Sequence, residues 1–218
     1  MADIALQRKN MVESQIRPSD VTDRRVTAAM SAIPREAFVP ERLATFAYSD
    51  DALHVGPDAV MLSPTVLARL VQLADINPDD AVLVIGGCSG YAAAIVAQIA
   101  KSVVALLPDR VSATAVASAC RSIAIDNVTA VAGVLSEGWK AQCPYAVIVV
   151  EGGVEAVPEA LKSQLADGGR LVAIEVERGL GHAFLLQKTG EFFVRRDTFQ
   201  AAAQLLKGFE SPKPAFVF

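Results

Sequence analysis

The sequence predicts an α/β protein with a doubly wound, mostly parallel sheet, an N-terminal helical extension and an antiparallel C-terminal edge. From Asp80 onward, short apolar runs alternate with helical stretches, as they do where right-handed crossovers join parallel strands. The residues before about Pro78 follow helical spacing, and those after Gly181 are strand-like without a clear helix. We therefore expect a helical extension at 1–78 and an α/β domain at 79–218, packed as one compact unit.

Two helices are predicted in the extension. Asp20 can cap a helix whose apolar positions are spaced i, i+3, i+4 and i+7, and Pro34 ends that helix. Ser63 followed by Pro64 is typical of an N-cap with proline at the first helical position. The apolar positions are Val26, Ala29, Met30 and Ile33 in the first helix and Leu67, Leu70, Val71 and Ala74 in the second.

The remaining elements follow from the spacing of apolar residues. Strands are predicted at 81–85, 102–107, 128–132, 146–150 and 169–176, and helices at 90–100, 111–123 and 158–165. The strand at 169–176 is expected in the interior of the sheet because its run Leu171-Val172-Ala173-Ile174 is wholly apolar. Strand-like segments at 183–187 and 192–195 predict an antiparallel hairpin at the edge, and Phe216-Val217-Phe218 is expected to be ordered.

The composition is that of a packed globular protein, with 52% apolar residues in a chain of 218. The net charge of −4 and the scattered Lys and Arg residues give no electrostatic case for nucleic acid, whose phosphates favour clustered positive charge. The longest apolar runs are strand-sized, and the first ten residues lack an apolar core of signal-peptide length. Neither a membrane span nor export is therefore expected.

Cysteine usage and hydropathy add two expectations. Cys88, Cys120 and Cys143 show no C-x-x-C spacing, which favours reduced thiols and a cytoplasmic location. The mean hydropathy of +0.37 favours a sheet buried on both faces, and exposed apolar surface used in a homo-oligomer is the alternative. His54 and His182 lie in different regions, so surface positions are expected for both and no metal site is predicted.

A glycine-rich turn at 86–91, between the first predicted strand of the domain and its helix, is the predicted ligand site. Ligands of open α/β sheets bind at the carboxyl ends of strands, and glycines let backbone amides approach them closely. The turn lacks the dinucleotide pattern G-x-G-x-x-G, since Cys88 and Tyr91 stand at its second and third glycine positions, and it lacks the Lys-Ser/Thr pair of a P-loop. A tight turn without any ligand is the alternative.

The chain as a whole resembles the protein-L-isoaspartate O-methyltransferases. Matching segments occur in the family's order between about residues 10 and 175, namely 11–16, 23–26, 29–30, 33–40, 47–50, 86–91, 127–128, 138–139, 144–145, 157–158, 164–165 and 168–172. The resemblance implies an α/β fold of the S-adenosylmethionine-dependent methyltransferase type. It also implies methyl transfer from S-adenosylmethionine to the carboxyl group of L-isoaspartyl residues in damaged proteins. The residues implied at the cofactor are Gly86, Gly87, Cys88, Ser89, Gly90, Tyr91, Leu107 and Val134.

Four positions where this family carries acids are apolar here: Val84, Leu107, Val134 and Ala146. An acid at the second of these would accept hydrogen bonds from the ribose hydroxyls, and the nearest acid is Asp109, two residues further on. Each lost hydrogen bond to a charged group costs about 1.5–3 kcal/mol, so two would weaken binding about a hundredfold or more. Binding of S-adenosylmethionine is therefore expected to be weak or lost. There are two alternatives. One is a weak or inactive relative that serves as a binding or oligomer-forming module, and the other is an enzyme with another small ligand.

Three further residues have two interpretations each. Ser63 is a weak candidate catalytic residue beside Leu62, which stands at the family's substrate-side serine, and a helix cap is the alternative. Cys88 is either a reactive thiol or a small residue chosen to fit the turn. Glu151, at the end of the fourth strand of the domain, is either a polar contact to a ligand or a solvated strand end.

Overall fold

A computed structural model describes residues 3–57, 59–87 and 89–211 of the chain. Within these residues the strands form a two-stranded antiparallel sheet, β1-β2, and a seven-stranded sheet of order β5-β4-β3-β6-β7-β8-β9. Their bounds are β1 Leu53–Gly56, β2 Ala59–Met61, β3 Ala81–Gly86, β4 Ser102–Leu107, β5 Val128–Ala132, β6 Tyr145–Val154, β7 Leu165–Glu177, β8 Leu180–Thr189 and β9 Phe192–Gln200.

The helices lie before the large sheet and in its crossovers. They are α1 Ile4–Met11, α2 Arg24–Ala32, α3 Pro64–Leu73, α4 Tyr91–Ala97, α5 Arg110–Ser122 and α6 Glu159–Lys162. A π-helical segment, Val12–Ile16, continues α1, and short 3-10 turns lie at 17–19, 35–38, 41–46, 135–137 and 140–142. Among the helices described, none combines the length and the apolar character that a membrane crossing requires.

The predicted mostly parallel sheet with an antiparallel edge is confirmed. β3 is parallel to β4 on one side and to β6 on the other, while β7, β8 and β9 are antiparallel neighbours. The predicted strand at 169–176 lies within β7, between β6 and β8, and its residues Leu171, Val172, Ala173 and Ile174 are fully buried.

Both faces of the sheet are buried at its centre, as alternate residues of β3 show. Val82 and Val84 belong to a large core cluster that also holds residues of α1 to α5, whereas Leu83 and Ile85 belong to a second cluster on the other face. The second cluster is closed by α6 and by Phe209 from the C-terminal segment. Because the large cluster joins the N-terminal helices to the sheet, both predicted parts of the chain share one core. The boundary at 78/79 stays a prediction.

The structure corrects three local predictions. The cap of α2 is Asp23, whose side chain accepts a hydrogen bond from the Arg25 amide, while Asp20 has a left-handed backbone with φ 63°. The extension is not wholly helical, since β1 and β2 form a hairpin within it. The helix predicted at 158–165 is limited to α6 because Leu165 already pairs with Tyr145 at the start of β7.

Two predictions fall on residues outside those that the structure describes. Cys88 is one, and the C-terminal Phe216-Val217-Phe218 is the other. The order of that tail stays a prediction.

Candidate functional site

The site lies where the strand order reverses, between β3 and its neighbours β4 and β6. Gly86 at the end of β3 is in register with Glu151 of β6, and Ile85 is in register with Leu106 of β4. Connections that leave such strands in opposite directions open a crevice at their carboxyl ends. A cleft of about 850 Å³ lies there, and its wall includes Gly87 and Glu151. That volume is within the range of small-molecule sites in proteins, roughly 300–1,000 Å³.

The floor of the cleft is the glycine turn that the sequence predicts. Gly86, Gly87 and Gly90 all have positive φ, at 88°, 52° and 83°, a region where side chains other than hydrogen are strained. A Cβ atom at Gly90 would lie 2.7 Å from Cγ1 of Val116 in α5, so the turn packs directly on that helix. Glycine is therefore required at position 90 both by the backbone conformation and by the packing against Val116.

Glu151 lies against this turn and is almost completely buried, with 2% of its surface exposed. A Cβ atom at Gly87 would lie 2.2 Å from its Oε2, so the missing side chain of Gly87 provides the space for the carboxylate. Neither carboxylate oxygen has a hydrogen-bond partner among the described residues. The interpretation of Glu151 as a solvated strand end is therefore wrong.

Burial raises the pKa of Glu151 to about 7. The Arg35 guanidinium and the main chain of Leu62 oppose this shift in pKa, because both favour the charged carboxylate. They oppose it incompletely: Arg35 makes no ion pair with Glu151, and the Leu62 amide does not meet hydrogen-bond geometry. At neutral pH the carboxyl is thus divided between its protonated and ionised forms.

Arg35 supports the wall of the cleft that includes Leu62. It is fully buried, its Nε donates to the Ala47 carbonyl at 2.8 Å, and its Nη2 donates to the Leu62 carbonyl at 2.7 Å. Its guanidinium lies 4.8 Å from the centre of the Tyr91 ring, and its Nη1 has no partner among the described residues. Arg35 therefore holds the main chain of Leu62 at the position where the family places its substrate-side serine.

The outer end of the cleft contains Asp109, the acid that the sequence places two residues after Leu107. Its Oδ1 accepts from the Ser112 amide at 2.8 Å and its Oδ2 accepts from the Ser112 hydroxyl at 3.0 Å, so Asp109 caps α5. These bonds hold the pKa of the Asp109 carboxyl below its usual range. Leu107 itself is 1% exposed and belongs to the core, whereas Val134 is 58% exposed.

The C-terminal segment 204–210 forms a further wall of the cleft, which the sequence did not predict. The Gly153 amide donates to the Gln204 carbonyl at 2.7 Å, and the Leu206 amide donates to the Gly153 carbonyl at 2.9 Å. A Cβ atom at Gly152 would lie 2.5 Å from Cγ of Leu206, so a glycine is needed where this side chain packs. The adjacent glycines after Glu151 were the signal of a close chain approach.

The other candidate residues are distributed between the cleft, the core and the surface. Gly87 and Ser89 line the cleft, and Gly86 and Gly90 shape the turn. Tyr91 is fully buried beneath the turn, with its hydroxyl 3.6 Å from Sδ of Met30. Ser63 caps α3 by accepting from the Val66 amide at 3.4 Å, as the alternative interpretation holds. Of the positions where the resemblance implies acids, Val84 is buried and Ala146 is partly buried. The side chains of His54 and His182 are exposed.

Comparison with known proteins connects this cleft to one family. The family model described as Protein-L-isoaspartate(D-aspartate) O-methyltransferase matches residues 6–201. The chain is 43% identical over 170 residues to protein-L-isoaspartate O-methyltransferase 1 of Rhodopseudomonas palustris strain HaA2, covering 77% of this chain and 69% of the relative. It is 36% identical over 210 residues to the protein-L-isoaspartate O-methyltransferase of another strain of that species, covering 94% and 96%.

Solved structures agree with the sequence comparison. One protein-L-isoaspartate O-methyltransferase superposes with a TM-score of 0.82 at 25% identity, and the match covers 92% of this chain and 66% of that chain's length. A second, from Plasmodium falciparum and in complex with S-adenosyl-L-homocysteine, has the same fold with a TM-score of 0.76 at 16% identity, covering 95% and 99%. The extent of these matches, together with the glycine turn and cleft, shows that the chain belongs to the protein-L-isoaspartate O-methyltransferase family.

Proposed function

We propose that this protein transfers a methyl group from S-adenosylmethionine to the carboxyl group of L-isoaspartyl residues in damaged proteins. The observation that carries the proposal is the 850 Å³ cleft above the glycine turn, at the point where the strand order reverses. It lies within residues 6–201, which match the family. The relatives quoted above are named for this reaction.

The residues of the cleft fit S-adenosylmethionine unevenly. At the inner end, the backbone of Gly87 and Ser89 and the carboxyl of Glu151 offer polar groups suited to the amino-acid part of the molecule. At the outer end, the wall is mostly apolar, with Val111 beside Asp109, and suits a flat heterocycle. Asp109 already accepts two hydrogen bonds, but a carboxylate has about four lone-pair sites, so it can still accept from a ribose hydroxyl.

Methyl transfer requires the side chains mainly to position the two reacting groups. S-adenosylmethionine, when bound, supplies a methyl group activated on a positively charged sulfur. The isoaspartyl carboxyl group that accepts this methyl group is already ionised at neutral pH, so the chain does not have to remove a proton from it. Leu62, held by Arg35, and Leu206, held by Gly153, form apolar walls that exclude water and orient the reacting groups.

One observation motivates a test of the alternative, a catalytically weak or inactive relative with a degenerate donor site that acts as a binding or oligomer-forming module. The apolar side chains Val84 and Leu107 occupy two of the positions where the family carries acids, and both are buried in the core. Neither side chain can therefore act as a charged partner of the ribose. The two candidates differ in affinity for the donor and in turnover.

Calorimetry and a methyl-transfer assay distinguish them. Purified protein is titrated with S-adenosylmethionine and S-adenosylhomocysteine, and methyl transfer is followed to a peptide containing isoaspartate. A peptide of the same sequence with ordinary aspartate is the matched control. Micromolar binding with transfer to the isoaspartyl peptide alone supports the proposed methyltransferase. Weak or absent binding without transfer to either peptide contradicts the methyltransferase proposal and supports the alternative.

The proposal extends to partners and location. Its partner is a protein or peptide bearing isoaspartate. The proposed location is the cytoplasm, on the grounds that the three cysteines of the sequence show no C-x-x-C spacing. Phe192 and Val194 on the edge strand β9 are 77% and 60% exposed, which supports association of chains through this edge. Sedimentation of the purified protein tests that association.

A further inference from the structure

The acid missing from the end of β3 has a counterpart on the neighbouring strand. Val84 stands two residues before Gly86, where the resemblance places an acid, and Glu151 stands on β6 in register with Gly86. We propose that Glu151 binds the ammonium group of the amino-acid end of the donor, an inference that rests on the proposed function. Glu151 is then a ligand-binding residue of this chain that the sequence resemblance does not supply.

The carboxyl of Glu151 needs a partner that the described residues do not provide. Both oxygens are buried without a hydrogen bond, and an isolated buried carboxylate is unfavourable unless it is protonated or paired with a cation. An ammonium group offers both a positive charge and N–H donors, whereas a positively charged sulfur offers only the charge. The amino-acid end of the donor therefore complements Glu151 better than its sulfonium does.

Arg35 does not act as the ion-pair partner of Glu151. Two of its nitrogens donate to the carbonyls of Ala47 and Leu62, and it forms no ion pair with Glu151 within 4.0 Å in the described structure. The geometry leaves an acidic group beside the glycine turn without an ion pair, although Arg35 acts on it electrostatically. A cationic group from the ligand would complete the site.

Access to the carboxylate requires no change of the main chain. Glu151 lines the cleft together with Gly87 and Gly152, neither of which has a side chain to obstruct it. Rotation of the Glu151 side chain would bring its oxygens to a ligand seated on the turn. The lack of a Cβ at Gly87, which would otherwise lie 2.2 Å from Oε2, leaves room for both the carboxylate and the ligand.

The first test compares ligands with and without the ammonium group. S-adenosylhomocysteine carries it, and methylthioadenosine lacks the amino-acid end. We expect Glu151→Gln to weaken S-adenosylhomocysteine about 10- to 100-fold and to leave methylthioadenosine unchanged, because only the first ligand loses a charged hydrogen bond. Glu155→Gln is the matched control, since Glu155 is an exposed residue of the same strand end and accepts from the Ser211 amide outside the cleft.

The second test uses the unmutated protein and so does not depend on how a variant folds. Two groups counteract the effect of burial on the pKa of Glu151. They are Arg35, from the 3-10 turn at 35–38, and the main chain of Leu62, before α3. With the pKa of Glu151 at about 7, the carboxyl of the free protein is mostly protonated at pH 6. An α-amino group is also protonated at that pH, so a proton released on binding comes from the protein. Calorimetry of S-adenosylhomocysteine in buffers of different ionisation enthalpy counts that proton, and Glu151→Gln should abolish its release.

The outcomes separate this inference from the proposed function. Equal affinity of S-adenosylhomocysteine for the unmutated protein and Glu151→Gln, without proton release, overturns the role of Glu151 and leaves the methyltransferase proposal intact. Failure of all adenosyl ligands to bind the unmutated protein overturns both. Selective weakening of S-adenosylhomocysteine, together with loss of proton release in Glu151→Gln but not in Glu155→Gln, supports the inference.

Discussion

At the inner end of the cleft Glu151 is buried without a hydrogen-bond partner, whereas at the outer end Asp109 is exposed and accepts two hydrogen bonds from Ser112. The inner acid is fixed by close packing, since the space it occupies exists only because residue 87 is glycine. The outer acid is fixed by its own helix and faces solvent. The comparison indicates that the inner end has a carboxyl group available for a ligand but little space for larger side chains. The outer end should accept substitutions more easily.

The largest expected effect comes from placing an acid at position 107, where the family resemblance implies one. Leu107→Glu would place a carboxylate in the core without a partner and should destabilise the protein by about 3–5 kcal/mol. Val134→Asp, at a position that is 58% exposed, should change stability by less than about 0.5 kcal/mol. Urea unfolding of the two single variants measures both. A stable Leu107→Glu protein with raised affinity for the donor would show that the side chain at 107 reaches the cleft.

The next effect is the pH dependence of stability caused by Glu151. Its pKa is about 7 in the folded protein and about 4.3 in an unfolded chain, so the folded state binds the proton more tightly. The resulting stabilisation is complete below about pH 4.3 and is lost as the pH rises to about 7, an amount on the order of 3 kcal/mol. Unfolding free energies measured across this range should show the loss relative to Glu151→Gln. Parallel pH profiles for the two proteins would contradict the burial of an unpartnered carboxyl.

A smaller effect tests the steric coupling between the turn and the acid. Gly87→Ala should destabilise the protein because of both its positive φ and the overlap with Oε2 of Glu151. Only the overlap is relieved by Glu151→Ala, so a double-mutant cycle should give a coupling energy of about 1–3 kcal/mol. Additive effects of the two substitutions would mean that the carboxylate does not occupy the space beside Gly87.

The smallest effect concerns the acid at the outer end. Asp109→Ala removes the cap of α5 and should lower the midpoint of thermal unfolding by a few degrees, whereas Asp109→Asn keeps an acceptor for the Ser112 amide and should change it little. Thermal melts of the two variants side by side provide the measurement. If both lower the midpoint equally, the charge of Asp109 matters more than its role as a cap.

Sequence patterns predicted the sheet better than they predicted the site. The central strands β3, β4, β6 and β7 followed from runs of apolar residues, because burial on both faces leaves a clear signal in each of them. The burial of Glu151 depends on its register with Gly86 and on its packing against Gly87, which is distant in sequence, and local patterns contain neither fact. The hairpin β1-β2 was missed because its strands are too short for alternation to be recognised.

The bridge between Gly153 and Leu205 joins the end of a central strand to the segment that follows the edge hairpin. Gly153 forms hydrogen bonds with Gln204 and Leu206 of this segment, and the same segment lines the cleft. A ligand in the cleft would therefore favour the state in which this segment is docked, and by reciprocity docking would favour the ligand by the same factor. Amide hydrogen exchange at Gly153 and Leu206 should slow when the cleft is filled, so these two amides report occupancy from outside the glycine turn.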